Sequence, residues 1–428
     1  MKPAHKFLNA RPHPRRSIFL GFHMHSSDHI SDASFFDLDG LTKALTLMIS
    51  SETDVRELPI SLPQLGLGES QVLDLLAPQV LGNAAQLGAS SSMAHMDPPT
   101  PWITWAMQLW NASLNQNLLH EATSPFATRA EKLVLDWLAP FFGMRGGHFC
   151  SGSTIANLTG IWAARDVAGI RQVVTSQAAH LSIEKACHLL GIKLVKIAVD
   201  AQGRLDTTQL PDLKNSCLVL NAGTTATGAI DSLALCGAAA WTHIDAAWAG
   251  PLRLSPEYVE RLNGIENADS IAVSAHKWLF QPKNSAMIMF RDLESANKAI
   301  SFGGSYLAKP NIGVQGSRSA AAIPLLATLL AWGQNGLAQR LNHLMQAADS
   351  FAQKIEEADE LELWNKPQTA VNVFRPRHIS TTELLAALPA GMLSSCVIDG
   401  EIWARSVAAN PMADVELIFT KIIDACRK

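Results

Sequence analysis

The sequence predicts an α/β protein built on a mostly parallel sheet. Between residues 145 and 290, short apolar, β-branched runs recur: QVVT (172–175), KLVKIAV (193–199), CLVLN (217–221), WTHID (241–245), SIAVS (270–274) and SAMIMF (285–290). Segments with helical spacing, among them 154–167 and 181–190, lie between them. The runs are apolar nearly throughout and do not alternate, which is the pattern of strands covered on both faces. At 428 residues the chain is long enough for a large core and for about two to three domains.

Residues 1–85 lack a strand rhythm and read as an N-terminal helical arm. Lys2, Lys6, Arg11, Arg15 and Arg16 make its start basic, and the apolar stretch 17–22 is too short for a secretory segment. His23, His25 and His29 have a spacing a metal could use. No cysteine or carboxylate set completes it, so they read as a solvated loop and no metal is expected. Residues 41–49 and 69–81 are expected helices, joined by the breaker-rich LPISLPQLGLG. SSMAHMDPPTPW (91–102) is a proline-rich loop. Helices are expected over 102–119 and 126–143, the second with Ser124 as N-cap and Pro125 at its first position. Trp102, Trp105 and Trp110 recur at helical spacing and read as core or interface. The sheet domain is expected over 86–315. A long helix over about 318–357 then leads into a small α+β C-terminal domain within 316–428. Its expected strands are VNVFRP and EIWARSV, and its last helix is 411–426.

Composition narrows the function class. Charged residues are 17% of the chain, against a usual share of about 25%. That implies much buried surface, a subunit interface included. A net charge of −4 points neither to nucleic acid nor to a membrane surface, and no apolar run approaches the roughly 18 residues of a membrane span. The six cysteines are widely spaced with no CxxC, as free thiols in a reducing cytoplasm would be.

In open α/β sheets, function collects beyond the carboxyl ends of the strands, and the polar residues that stand out fall there. Asp245 ends an apolar strand. Partly desolvated, it needs a cationic or hydrogen-bonding partner, though an Asp there equally caps the next turn. Lys277 lies just past the next strand in SAHKW. Alone, a lysine beside a tryptophan is more often a snorkelling surface residue, but in an apolar pocket it forms Schiff bases. CSGSTIANLTGIWAARD opens a helix, with Ser153 and Thr154 as hydroxyls beside free N–H groups that suit an anion or simply cap the helix. His180 starts a helix where an imidazole could stack on a planar ligand. Thr224 and Thr225 sit in the loop after CLVLN. In this order the residues could hold a phosphorylated pyridine aldehyde: phosphate on the helix start, ring under His180, ring nitrogen on Asp245, aldehyde on Lys277. That ligand is pyridoxal phosphate.

SGSTIANLTGIWAARD, AHLSIEKA, AGTTATGAID, HIDAAWAG, ADSIAVSAHKW and GSRS, in this order across residues 91–345, resemble the group II pyridoxal-phosphate-dependent amino acid decarboxylases. That family includes enzymes for glutamate, aromatic amino acids and diaminobutyrate. The resemblance implies the type I aminotransferase-like fold with a seven-stranded-type sheet, and a homodimer with active sites at the interface. It implies decarboxylation of an L-amino acid to the amine and CO2 through an aldimine on Lys277. Asp245 would pair with the ring nitrogen, with His180 and Ala247 on the two ring faces. Ser153, Thr154, Ser274 and His276 would lie on the phosphate side, and Thr225 beside the cofactor. His95 falls where the family often has a pocket-lining loop. Arg318 would bind an acidic group or buttress a helix start. The chain departs from the family in one place. Only AKPNIGVQ (308–315) stands where a longer mobile loop often carries a proton-donating tyrosine. Tyr306 or a histidine is then the donor, or the cofactor serves another reaction: carbon–carbon cleavage, transamination or decarboxylation-coupled oxidation.

Overall fold

The computed structural model describes residue 35, residues 37–49 and residues 57–427. The basic start and His23, His25 and His29 lie outside the described residues. The chain divides into two compact units, 1–84 and 85–428. In the first, α1 (Leu38–Leu47) begins at Asp37, whose side chain accepts the Asp39 N–H, and α2 (Glu69–Val80) is tied to it by the Lys43–Asp74 ion pair at 2.7 Å. Among the described residues of these two helices only Pro78 is buried.

The second unit opens with α3 (Trp102–Leu114) and α4 (Pro125–Leu138). Both are shorter than their apolar spacing predicts. Asn115 turns left-handed (φ 44°) and ends α3, while Pro140 lies in a 3-10 turn that follows α4. Ser124 does not cap α4 with its side chain. Its hydroxyl donates instead to the carbonyls of Asn117 and His120.

The sheet region runs β1 (Gly146–Cys150), α5 (Ser153–Ala168), β2 (Gln172–Ser176), α6 (Leu181–Leu190), β3 (Lys193–Ile197), β4 (Ser216–Asn221), β5 (Trp241–Asp245), β6 (Ser270–Ser274) and β7 (Ala286–Phe290); the expected alternation with helices holds only as far as β3, after which loops and 3-10 turns join the strands. They form one seven-stranded sheet in the order β1-β7-β6-β5-β4-β2-β3, parallel except for β7, which is antiparallel to both of its neighbours. β4 shows why its strands read as unbroken apolar runs. Leu218 and Leu220 enter one core, while Cys217 and Val219 enter the core on the other face with α5 and α6.

α7 (Leu293–Ala299) and the two-stranded ribbon of β8 (Ser301–Phe302) and β9 (Asn311–Ile312) follow. α8 (Ala322–Glu357) starts later than predicted and is broken at Gly333, whose φ of 62° is not helical. The remaining elements are β10 (Leu361–Leu363), β11 (Val371–Pro376), α9 (Thr381–Ala387), β12 (Ser394–Ile398), β13 (Glu401–Val407) and α10 (Val415–Cys426). The four strands form an antiparallel sheet in the order β10-β11-β13-β12. Trp403 and Val407 of β13 share a core with Leu220 and Ile244 of the large sheet, so the two sheets face a common interior. Among the described residues, no helix is long and apolar enough to cross a membrane.

Candidate active site

A cavity of about 200 Å³ opens at the carboxyl ends of the parallel strands, where the sequence places its polar residues. On one side lies the start of α5, where Gly152 is the N-cap and offers no side chain to the first amides. The N–H groups there keep the unpaired donors of a helix N-terminus. Ser153 and Thr154 line the cavity beside them, and the Ser153 hydroxyl touches that of Ser274 at the end of β6.

Asp245 ends β5, buried but facing the cavity. Its Oδ2 accepts from Asn157 Nδ2 at 2.9 Å and its Oδ1 accepts the Ala247 N–H at 3.1 Å. His180 is the N-cap of α6. Its Nδ1 accepts the Ser182 N–H at 3.2 Å, so the ring carries its proton on Nε2 when neutral. Burial pushes His180 below the usual histidine range, and Asp245 partly opposes this. Asn221 ends β4, and Thr224 and Thr225 come from the loop after it. Asp231 braces that loop, accepting N–H groups of Leu205 and Asn221 at 2.7 and 2.8 Å.

Lys277 lies in the turn between β6 and β7. Its neighbour Trp278 is fully buried, its ring 4.1 Å from that of Trp248. The tryptophan therefore anchors the turn in the core while the lysine faces the cavity, the reverse of a snorkelling pair. Phe280 in the same turn is buried at φ 59°, a left-handed conformation an aromatic residue rarely adopts. Burial pushes the Lys277 ammonium down, while Asp245 and Asp97 pull it part of the way back.

Ala247 also lines the cavity, as does His276. The His276 Nδ1 lies 3.1 Å from the Ser285 carbonyl and so must carry a proton to bond with it. Burial lowers the ring pKa to about 4. A neutral His276 therefore offers its Nε2 as an acceptor only, and donating to a phosphate requires a second proton.

The residues expected on the substrate side are not brought to this cavity within the chain. His95 is exposed in its loop. Tyr306 is 73% exposed, with its ring beside His120. Arg318 is ion-paired with the buried Glu131 and so buttresses the start of the α8 region. The loop 308–315 is tied down at both ends: Lys309 pairs with Glu121 at 2.6 Å, and Gln315 Oε1 accepts the Ser151 N–H at 2.8 Å.

Sequence reasoning missed Arg405. A second cavity of about 560 Å³ shares His180 and Thr225 with the first and is bounded by β12 and Trp364. Arg405 of β13 lines it. Its Nη1 donates to Ser394 Oγ at 3.0 Å and to the Ala94 carbonyl at 3.3 Å, while its Nε is buried without a partner. Among the described residues no carboxylate pairs with it. The available signal was an arginine at an inward position of EIWARSV, where alternation demands an apolar side chain.

Comparison with known proteins agrees with this geometry. Residues 84–377 match the pyridoxal-dependent decarboxylase conserved domain. The chain is 31% identical over 413 residues to an L-2,4-diaminobutyrate decarboxylase of Rhizobium meliloti, covering 85% of this chain and 82% of that one. It is 28% identical to an aspartate 1-decarboxylase of Aliivibrio fischeri, covering 74% and 69%. In fold it is similar to a crystal structure of Oryza sativa TDC with PLP and tryptamine, at a TM-score of 0.81 and 20% identity over 94% of this chain and 99% of that one. The mostly parallel seven-stranded sheet is that of the type I aminotransferase-like fold. On the domain match and these relatives, the chain belongs to the pyridoxal-phosphate-dependent amino acid decarboxylase family.

Proposed function

We propose that the protein converts an L-amino acid to its amine and CO2, with pyridoxal phosphate attached to Lys277 and a substrate carboxylate held by Arg405. The observation that carries this reading is a desolvated lysine sharing one cavity with an acceptor carboxylate and an uncapped helix start. The donor set fits the cofactor. The first-turn amides of α5 with the Ser153, Thr154 and Ser274 hydroxyls suit its phosphate, and Asp245 suits a protonated ring nitrogen. His180 and Ala247 would bound the ring, with Thr225 at its edge. When bound, pyridoxal phosphate supplies an aldehyde that condenses with amines and a ring that accepts electrons from the breaking Cα–carboxylate bond.

The chain's own residues do the rest. Lys277, with its lowered pKa, presents a larger fraction of neutral amine near pH 7 than a free lysine does. Asp245 keeps a proton on the ring nitrogen by accepting from it. Arg405 orients the substrate from the neighbouring cavity, which its guanidinium lines with no carboxylate paired to it among the described residues. One proton from solution replaces the lost carboxylate on Cα. Neither tyrosine lines the cavity, so Lys277 Nζ and His180 Nε2 are the groups placed to deliver it. Trp102, Trp105 and Trp110 on α3 and Phe126 on α4 are all more than half exposed, which supports a homodimer through this face; a solution mass of one chain would count against it.

The test is to incubate the cofactor-loaded protein with 2,4-diaminobutyrate, aspartate, glutamate and aromatic amino acids, following CO2 and product mass. Amine and CO2 in equal amounts are expected from at least one. A panel yielding neither sinks the reading. The absence of a cavity tyrosine favours one second reading, decarboxylation-coupled oxidation, which would give aldehyde in place of amine and consume oxygen.

A further inference from the structure

Behind the cavity, buried hydrogen bonds run from β5 and β6 through α5 to both Asp245 and His180. Trp241 Nε1, which can only donate, lies 2.9 Å from Ser270 Oγ, and that hydroxyl lies 2.8 Å from His243 Nδ1. His243 Nε2 is 3.0 Å from Asn157 Oδ1. Asn157 Nδ2 donates to Asp245 Oδ2 and to Ser182 Oγ, each at 2.9 Å. Ser182 Oγ is 2.8 Å from His180 Nδ1. Asn157, Ser182, His243 and Ser270 are all fully buried. A Cβ at Gly160 would come within 2.6 Å of the His243 ring, so the glycine lets α5 lie against it.

The directions of these bonds can be read from both ends. A carboxylate only accepts, so Asn157 turns its N–H groups to Asp245 and its oxygen to His243. That oxygen also only accepts, so His243 carries its proton on Nε2 and takes the Ser270 hydroxyl proton at Nδ1. From the other end, Ser270 accepts from the donor-only indole and is left to donate to the same Nδ1. Both ends give one arrangement, with every donor and acceptor on the path used.

We propose that Asn157 is a positioning residue for the decarboxylation site: its amide, held in one orientation by the Nε2–H of His243, aims Asp245 at the cavity and passes a hydrogen bond through Ser182 to His180. This rests on the roles given to Asp245 and His180 above. Burial lowers His243 to about pH 4, so the neutral ring the arrangement requires persists at neutral pH.

Two measurements test it. In the full-length chain carrying 15N-histidine, long-range proton–nitrogen correlation spectra report which ring nitrogen bears the proton. His180→Gln and His243→Gln variants assign the signals. Both rings are expected as neutral Nε2–H forms, and an Nδ1–H signal from His243 overturns the proposal. Kinetics of the holoenzyme separate donation from space-filling. Asn157→Asp keeps the side chain's size but removes its N–H donors, whereas Asn157→Ala removes both. If donation matters, Asn157→Asp loses at least as much kcat as Asn157→Ala. The expected loss is about tenfold to a hundredfold, as for a lost hydrogen bond to a charged group, with KM changing less. An Asn157→Asp enzyme near wild-type kcat overturns the proposal. Wild-type protein that gains no visible band with pyridoxal phosphate is a different result: it removes the decarboxylase reading, and with it this role.

Discussion

Every residue of β4, β5, β6 and β7 is buried, whereas β12 alternates between half-buried and exposed residues along its length. The centre of the large sheet, β4 to β7, is sealed on both faces, and Asn221, Asp245 and Ser274 stand where its strands stop; only the edge strand β3 is largely exposed. The small sheet is buried along β11 and most of β13 but half-exposed along its edge strand β12, and it contributes one buried cation, Arg405, from the middle of a strand. Reactive groups placed on strand ends are fixed by a scaffold that they do not interrupt. A charge placed within a strand is held by its own hydrogen bonds, here to Ser394 and Ala94. The large sheet is therefore expected to carry the chemistry, and the small sheet to adjust binding.

The strongest test of that division is Lys277→Ala. The side chain lies in a turn anchored by Trp278, so its loss removes chemistry and spares the fold. Turnover should fall by more than about a thousandfold. The visible band formed with pyridoxal phosphate should vanish, while the unfolding transition stays put. A band that survives unchanged would show that another amine carries the cofactor.

The same difference explains what was legible in the sequence. Buried strands announce themselves in either sheet: β5 and β6 of the large one and the mostly buried β11 and β13 of the small one match their expected limits residue for residue. β1 was not seen because GGHFC has two glycines and a histidine in five residues. Its place in the sheet comes from pairing with β7. β12 was not seen because SSCVI is a half-exposed edge strand with weak local signal. Residues from ordered motifs such as HIDAAWAG and SAHKW come together around one cavity. Arg405 was missed because its one local mark, the alternation with Trp403 and Val407 in EIWARSV, is weak, and the Ala94 carbonyl that helps hold it lies far away in the chain. Tyr306 and Arg318 lie near one another in sequence, but the partners that hold them, His120 and Glu131, lie far away in the chain.

Arg405→Ala probes the small sheet's share. The variant should raise KM for the preferred substrate by about tenfold to a hundredfold, the scale of one hydrogen-bonded charge, with a smaller change in kcat. Steady-state kinetics with the substrate found in the panel would read this split. If kcat fell as far as in Lys277→Ala, the small sheet would be taking part in the chemistry and the division would break.

The smallest expected effect concerns how the two sheets respond to acid. His148 on β1 and His243 on β5 are buried, and desolvation lowers them to about 3 and about 4. The four strands of the small sheet contain no histidine. In the unfolded chain each histidine titrates near about 6.5, so as the pH falls below that value the unfolded state takes up protons that the folded state refuses. The folded state therefore loses stability as pH falls, by up to about 1.4 kcal/mol per pH unit for each such histidine. The loss from His148 continues until the pH approaches its folded pKa near 3. His148→Leu isolates one of these contributions. Its Nδ1 has no hydrogen-bond partner among the described residues, so the substitution removes a titrating group without orphaning a neighbour. Urea midpoints between pH 7 and pH 5 should fall less steeply in His148→Leu than in the wild type, the slopes differing by about 1.4 kcal/mol per pH unit at the acid end. Equal slopes would mean that His148 titrates normally in the folded protein and that β1 is open to water, contrary to the burial of His148 between β1 and its neighbours.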